Sequence, residues 1–318
     1  MKNLAIAIPT FKRPELLSRS LNSIVEQCKE IDVEIYIYDD SCDDTNINVY
    51  KKYKAIYPKI HIFYNEKNLG IDKNIDQCVT LSSANYIWVI GEDDLAVDGA
   101  VKLIENLIKK RAPKYIFANY RYISNDYSNL LDIAVPDLIN GNTEAGSFFR
   151  QNGWASGFLG ANVINKQYWD SECQQFMGSY FNHVGKIISK LKPADIIATI
   201  AEPLVYNRAE SLNSFSWLDS CFEVSAGFEK MIDQLITHSP EWAVSAREAL
   251  VRFNQKIDFR NAKSLMVLRA LGVYDLEKYN TYIRGRAWAP IYAVIAVLPM
   301  PMMKKFYEFY QVFRRRRL

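Results

Sequence analysis

"YIWVIGEDD", residues 86–94, joins a short apolar run to three consecutive acids. Its β-branched and aromatic residues suit a strand buried on both faces. Glu92, Asp93 and Asp94 repel one another, so packing alone gives no reason to crowd them at its end. Alternate side chains of a strand point to opposite faces, so at most two of the three easily reach one point. Oxygen donors without His or Cys favour a hard divalent ion, Mg2+ or Mn2+, which keeps waters and takes substrate phosphates as its other ligands. The competing reading is a solvated acidic turn or a helix cap. Asp98, however, is the better cap for a helix starting at Gly99.

Working outward, "LAIAI" (4–8), "VEIYIY" (33–38), "KIHIFY" (59–64) and "YIFANYRYI" (115–123) also read as strands. Helical spacing links Leu17, Leu21, Ile24, Val25 and Cys28 over 15–28, and Val101, Ile104, Leu107 and Ile108 over 98–110. This alternation predicts an α/β fold, with a mostly parallel central sheet flanked by helices and a Rossmann-like nucleotide-binding half. Ligands of such sheets sit beyond the carboxyl ends of the strands. Polar clusters follow the strands there: "PTFKR", "DDSCDD", "NEKNLG" and "GEDD".

Residues 126–215 are less regular and rich in Asn, Ser and Gly, which suits loops around an acceptor site, and from 216 the pattern is helical. The expected division is therefore 1–215, with 1–98 binding nucleotide and 99–215 on the acceptor side, followed by a helical region 216–318. A net charge of +3 is too small to point to nucleic acid. Five cysteines without metal-ligand or framework spacing, and an N-terminus without a leader pattern, indicate a reducing, cytoplasmic setting. The tail "WAPIYAVIAVLPMPMMKKFYEFYQVFRRRRL" (288–318) is too short in its apolar part, and too rich in proline, to span a bilayer. Its basic flanks predict peripheral contact with the inner face of the cell membrane; a helix packed on its own domain is the bland alternative.

Among the other clusters, Asp39 or Asp40 can accept hydrogen bonds from a base or ribose, while Asp43 and Asp44 read as loop acids. Asp39 and Asp40 together with residues 92–94 also suggest a receiver-type phosphorylation site holding Mg2+, for which no lysine is well placed. "NEKNLGIDKN" has no Walker A spacing, but Gly70 permits a close backbone approach and Asn68, Lys73 and Asn74 can face a nucleotide. A plain turn into a helix explains the same residues.

In order, "IPTFKR" (8–13), Asp39-Asp40, Asn68-x-Gly70 with Asn74, and Glu92-Asp93-Asp94 resemble the motifs of the family 2 glycosyltransferases, of GT-A fold. The resemblance is strong over the first third, loose over 99–215 and absent beyond. It implies a nucleotide pocket formed by Pro9, Thr10, Phe11, Arg13, Asp39, Asp40, Asn68, Gly70, Asn74 and Glu92, with Asp40 on the base. It implies Asp93 as the metal ligand with Asp94 in support, and Mn2+ or Mg2+ as cofactor. The reaction implied is an inverting transfer from a nucleotide-sugar, UDP favoured, to a glycan or lipid-linked acceptor in surface polysaccharide synthesis. Lys12 and Glu92 depart from the usual Asn and Asp. No Glu-Asp pair supplies the base; "FNHVG" (181–185) stands near its place, so His183, then Asp170 and Glu172, are the candidates. Arg208 and Asn213, in what reads as a polar loop over 206–216, suit diphosphate or acceptor. A sugar-phosphate nucleotidyltransferase would open on a glycine-rich loop, which is missing here; a non-catalytic nucleotide-sugar-binding scaffold subunit is the rival of a different class.

Overall fold

A computed structural model describes residues 3–209, 220–256, 259–286 and 289–315. The chain begins β1 (Leu4–Thr10), α1 (Pro14–Ile31), β2 (Glu34–Asp39), α2 (Ile47–Ile56), β3 (Ile60–Tyr64), α3 (Ile71–Leu81), β4 (Tyr86–Val89). All seven residues of β1 are buried, because helices cover both faces of this central strand. Pro14 starts α1, where its missing N–H costs nothing, and the stripe Leu17, Leu21, Ile24, Val25, Cys28 turns inward. There follow β5 (Leu95–Ala96), α4 (Ala100–Arg111), β6 (Tyr115–Ser124), β7 (Leu130–Ile133), β8 (Gly141–Glu144), α5 (Ala145–Asn152), β9 (Asn162–Asn165), α6 (Asn182–Lys190) and β10 (Ile196–Ala209).

The sheet runs β3-β2-β1-β4-β9-β6-β10-β5. β3, β2, β1 and β4 are parallel neighbours, as the alternation predicts. Beyond β4 the sheet is mixed: β9 runs antiparallel between β4 and β6, and β6 pairs parallel with β10. The chain leaves β1 towards β2 and β3, then returns to β4 on the other side. The order therefore reverses between β1 and β4, and a crevice opens at their carboxyl ends.

Two sequence expectations change here. Asp98 does not cap α4: its N-cap is Gly99, at φ 81°, with no side-chain hydrogen bond. Residues 206–209 are not loop but the end of the 14-residue β10, whose pairing with β6 shifts register between Ile200 and Val205, around Pro203.

The C-terminal helices are α7 (Cys221–His238), α8 (Ala243–Lys256), α9 (Ala262–Ala270), the single turn α10 (Leu276–Lys278), α11 (Ala289–Val297) and α12 (Met300–Arg315). Phe228, Met231, Leu235 and Phe253 of α7 and α8 join the main core under the sheet. Phe222, Leu265, Leu268, Tyr274 and Ile295 make a second, smaller core. No helix among the described residues is long and apolar enough to cross a membrane.

Candidate active site

The four polar clusters meet at the β1/β4 crevice. The Asp40 N–H donates to the Thr10 carbonyl (3.0 Å) and the Asn65 N–H to the Asp39 carbonyl (2.9 Å), stacking the three turns on one another. Glu92 Oε2 accepts from the Thr10 hydroxyl and from the Phe11 N–H (3.0 Å), and Arg13 Nε lies 3.5 Å from Oε1. Glu92 is thereby a clasp between the ends of β1 and β4, and burial pushes its carboxyl up to about 7. Gly91 is required by crowding, since a Cβ there would lie 2.5 Å from Asp94 Oδ2. Asp94 is enclosed beside the Arg208 and Gly91 backbone, and burial raises its pKa well above the carboxylate range.

Asp93 differs from its neighbours. Its Oδ2 lies 3.1 Å from Arg208 Nη2 and 3.6 Å from Arg13 Nη1, while its side chain keeps 23% of its surface exposed. Tyr206 of β10 pairs antiparallel with Leu95, which carries Arg208 across to Asp93. The sequence reading named Arg208 without this partner. It missed Asn125, which accepts from Arg208 Nη1, and Tyr127, whose hydroxyl donates to the Asp93 carbonyl (2.9 Å). The only sequence signal for this wall is the alternation of "LVYNRA", which Pro203 and Glu202 obscure.

The second wall is built by the two acids at the end of β2, Asp39 within it and Asp40 just after. Asp39 accepts from Ser41 N–H (2.8 Å), Asn46 Nδ2 (3.1 Å) and the Tyr50 hydroxyl. Asp40 accepts from Leu69 N–H (2.7 Å), Asn65 Nδ2 (3.0 Å) and Gly70 N–H (2.9 Å), leaving about one of its four lone-pair sites for a ligand. Gly70, at φ 80°, takes a turn that other residues resist. Asn68 Oδ1 also accepts from Gly70 N–H (2.8 Å), and Asn74 is buried with its amide on the Tyr38 carbonyl (3.1 Å). Pro9 is buried within β1, whereas Phe11 is 43% exposed at the mouth.

The base candidates do not converge. His183, on α6, is 2% exposed with Nε2 3.2 Å from the Ser156 carbonyl, and burial lowers its pKa to about 4. A general base must reach the proton it takes, and a ring so enclosed meets no acceptor hydroxyl without rearrangement. Asp170 is paired with Lys190 at 3.3 Å and accepts from the N–H groups of Glu172 and Cys173; Glu172 is exposed. Asn213 lies outside the described residues.

Burial of His183 has a measurable cost in acid. Below its ordinary pKa of 6.5 the unfolded chain binds a proton that the folded chain refuses until about pH 4. Stability therefore falls as pH drops through this window, by about 3 kcal/mol in all. His183→Gln should flatten that part of the urea-denaturation profile, and an unchanged slope would refute the assignment.

Among the described residues, no three His, Cys, Asp or Glu side chains gather into a metal cage. A Mg2+ or Mn2+ ion that shares a diphosphate needs only one or two carboxylates, and the partly exposed Asp93 fits that demand.

The family model described as "Glycosyl transferase family 2" matches residues 5–167. The chain is similar to abequosyltransferase RfbV of Salmonella typhimurium, 25% identical over 228 residues, covering 65% of this chain and 67% of that protein. It is also similar to the poly(ribitol-phosphate) beta-N-acetylglucosaminyltransferase TarP of Staphylococcus aureus, 30% identical over 123 residues, 38% of this chain and 37% of TarP. A crystal structure of S. aureus TarS in complex with UDP-GlcNAc shares the fold, with TM-score 0.59 at 11% identity over 97% of this chain and 92% of that one.

Proposed function

The chain belongs to glycosyl transferase family 2, and on that premise we propose that it transfers a sugar, with inversion, from a nucleoside-diphosphate sugar to a hydroxyl of a glycan or lipid-linked glycan in bacterial surface polysaccharide synthesis. UDP is the favoured nucleotide, because the TarS structure of the same fold holds UDP-GlcNAc. One observation carries the reading: Arg13 and Arg208 converge on the partly exposed Asp93 at the β1/β4 crevice. Two cations facing one carboxylate make a site for an anion, and a diphosphate is the anion that a nucleotide-sugar brings.

In this reading Asp93, backed by Asp94, holds Mn2+ or Mg2+, which when bound neutralises charge on the leaving diphosphate. Arg13 and Arg208 turn their N–H groups from Asp93 to the phosphate oxygens as these arrive. Glu92 holds the turn after β1 in register, Phe11 packs against the base, and Asp40 accepts from the base's N–H. The acceptor hydroxyl gives up its proton as the new bond forms; the enclosed His183 does not take it, and Asp170 and Glu172, beyond β9 at the amino end of β4, are on the far edge of the sheet from the crevice. The test is a thermal-shift screen of UDP-, GDP-, CDP- and dTDP-sugars with Mn2+, where a ligand of the folded state raises Tm. A folded chain whose Tm no nucleotide-sugar moves, with or without metal, would sink the reading.

The C-terminal helices extend it to the membrane surface. Ile291, Val294, Val297, Met300, Met302 and Phe306 are 41–61% exposed on α11 and α12, beside the exposed Lys304 and Lys305. Apolar side chains flanked by cations match an anionic lipid surface. The chain should co-sediment with phosphatidylglycerol-containing vesicles, and the double variant Val294→Glu/Val297→Glu should weaken this about tenfold or more. Equal binding to pure phosphatidylcholine, or by the double variant, would refute the contact.

A further inference from the structure

The turn between β6 and β7, residues 125–129, reaches back to the acids of the β1/β4 crevice. Its frame is made by its own side chains and Ser124. Asp126 Oδ1 accepts from the Ser124 hydroxyl (2.6 Å), the Ser128 hydroxyl (2.7 Å) and the Ser128 N–H (3.1 Å). Ser124 Oγ accepts in turn from the N–H groups of Ser128 (3.1 Å) and Asn129 (3.0 Å), and the Ser124 carbonyl from the Tyr127 N–H (2.8 Å).

On that frame Tyr127 stands at φ 63°, in the left-handed region that a bulky side chain resists. Core packing does not explain the strain, because Tyr127 is half-buried and the first three residues of β7 beyond it are exposed. The contacts of the side chain do. Its hydroxyl donates to the Asp93 carbonyl (2.9 Å), and Arg19 of α1 lies over the ring, 5.1 Å from its centre, a cation–π contact that favours this orientation. Two residues earlier, Asn125 accepts from Arg208 Nη1 and leaves Nη2 on Asp93 Oδ2 (3.1 Å). One turn therefore grips both members of the Asp93–Arg208 pair, the acid by its peptide and the cation by one end of its guanidinium.

We propose that Tyr127 is a positioning residue for the transfer reaction, which together with Asn125 sets Asp93 and Arg208 in the orientation that receives the metal ion and the donor's diphosphate. The inference rests on the transferase reading and places this control in the β6–β7 turn, outside the acid triplet. Groups that stabilise developing charge act best when they need not reorganise, and a misplacement of about 1 Å can cost about 10²-fold in rate. A strained backbone held by a closed set of hydrogen bonds supplies that fixity.

Tyr127→Phe removes only the hydroxyl and keeps the ring beneath Arg19, so it should melt within about 4 °C of the unaltered chain. The Mn2+ concentration that half-saturates UDP binding, read by calorimetry, should nevertheless rise about fivefold or more. In the ligand-free chain, the amides of residues 91–96 should exchange with solvent about fivefold faster. Asn125→Ala, which frees Arg208 and leaves the acid turn alone, should instead weaken UDP without metal by a similar factor. The proposal is overturned if a folded Tyr127→Phe chain keeps either its Mn2+ midpoint or its exchange at 91–96 within about twofold of the unaltered chain. Failure of the unaltered chain to bind UDP would fall on the transferase reading, and exchange at 91–96 would still decide whether Tyr127 sets the acid turn.

Discussion

Asp93→Ala should lower nucleotide-sugar turnover with Mn2+ by about 10²–10³-fold or more, the range seen when a preorganised electrostatic contact to developing charge is removed. Of the three acids after β4, only Asp93 has a side chain both accessible and opposed by two cations. Removing it takes away the carboxylate that would hold the metal, and leaves Arg13 and Arg208 without their shared counter-charge. Asp93→Asn keeps an acceptor for Arg208 and loses the charge, so it should be nearly as inactive while melting close to the unaltered chain. Glu92→Gln is the contrast. Its amide oxygen can still accept from Thr10 and Phe11, so the clasp survives and turnover should fall less than about tenfold. Initial rates of sugar release or transfer, beside melting temperatures, separate these outcomes. An Asp93→Ala chain retaining activity within about threefold would remove Asp93 from the centre of the site.

The half of the molecule that carries these acids was legible because local chemistry and global topology agree there. Buried parallel strands are continuously apolar, so β1 and β4 announce themselves, and the polar residues that interrupt them lie where the sheet reverses. Arg208 was visible only as a residue type. Its strand carries Pro203 and Glu202 within the run, which imitate a loop, and its partner lies 115 positions away. Asp98 misled because good capping chemistry in sequence yields to backbone geometry, here a left-handed Gly99. Asp72 gave no signal at all. An acid in the first turn of a helix reads as ordinary dipole stabilisation, whereas its three bonds reach residues 178–180. His183 shows the converse, a residue whose chemistry suggested a role that burial opposes.

The same α3–α6 junction yields the largest expected effect on stability. Lys186 on α6 is fully buried, with its ammonium 2.5 Å from Asp76 Oδ1 on α3 and 5.2 Å from the centre of the Trp169 ring. Asp76→Ala would strand a buried cation with, among the described residues, that ring as its remaining partner. Breaking one side of a buried pair costs about 3–5 kcal/mol, a large share of the ~5–15 kcal/mol that holds a domain folded. A second substitution separates this from loss of packing. Asp76→Ala/Lys186→Met removes both charges while filling the channel with a chain of similar length, and should recover most of the lost stability. Urea midpoints at constant m report both changes. If Asp76→Ala cost less than about 1 kcal/mol, Lys186 would have to find another partner or shed its proton.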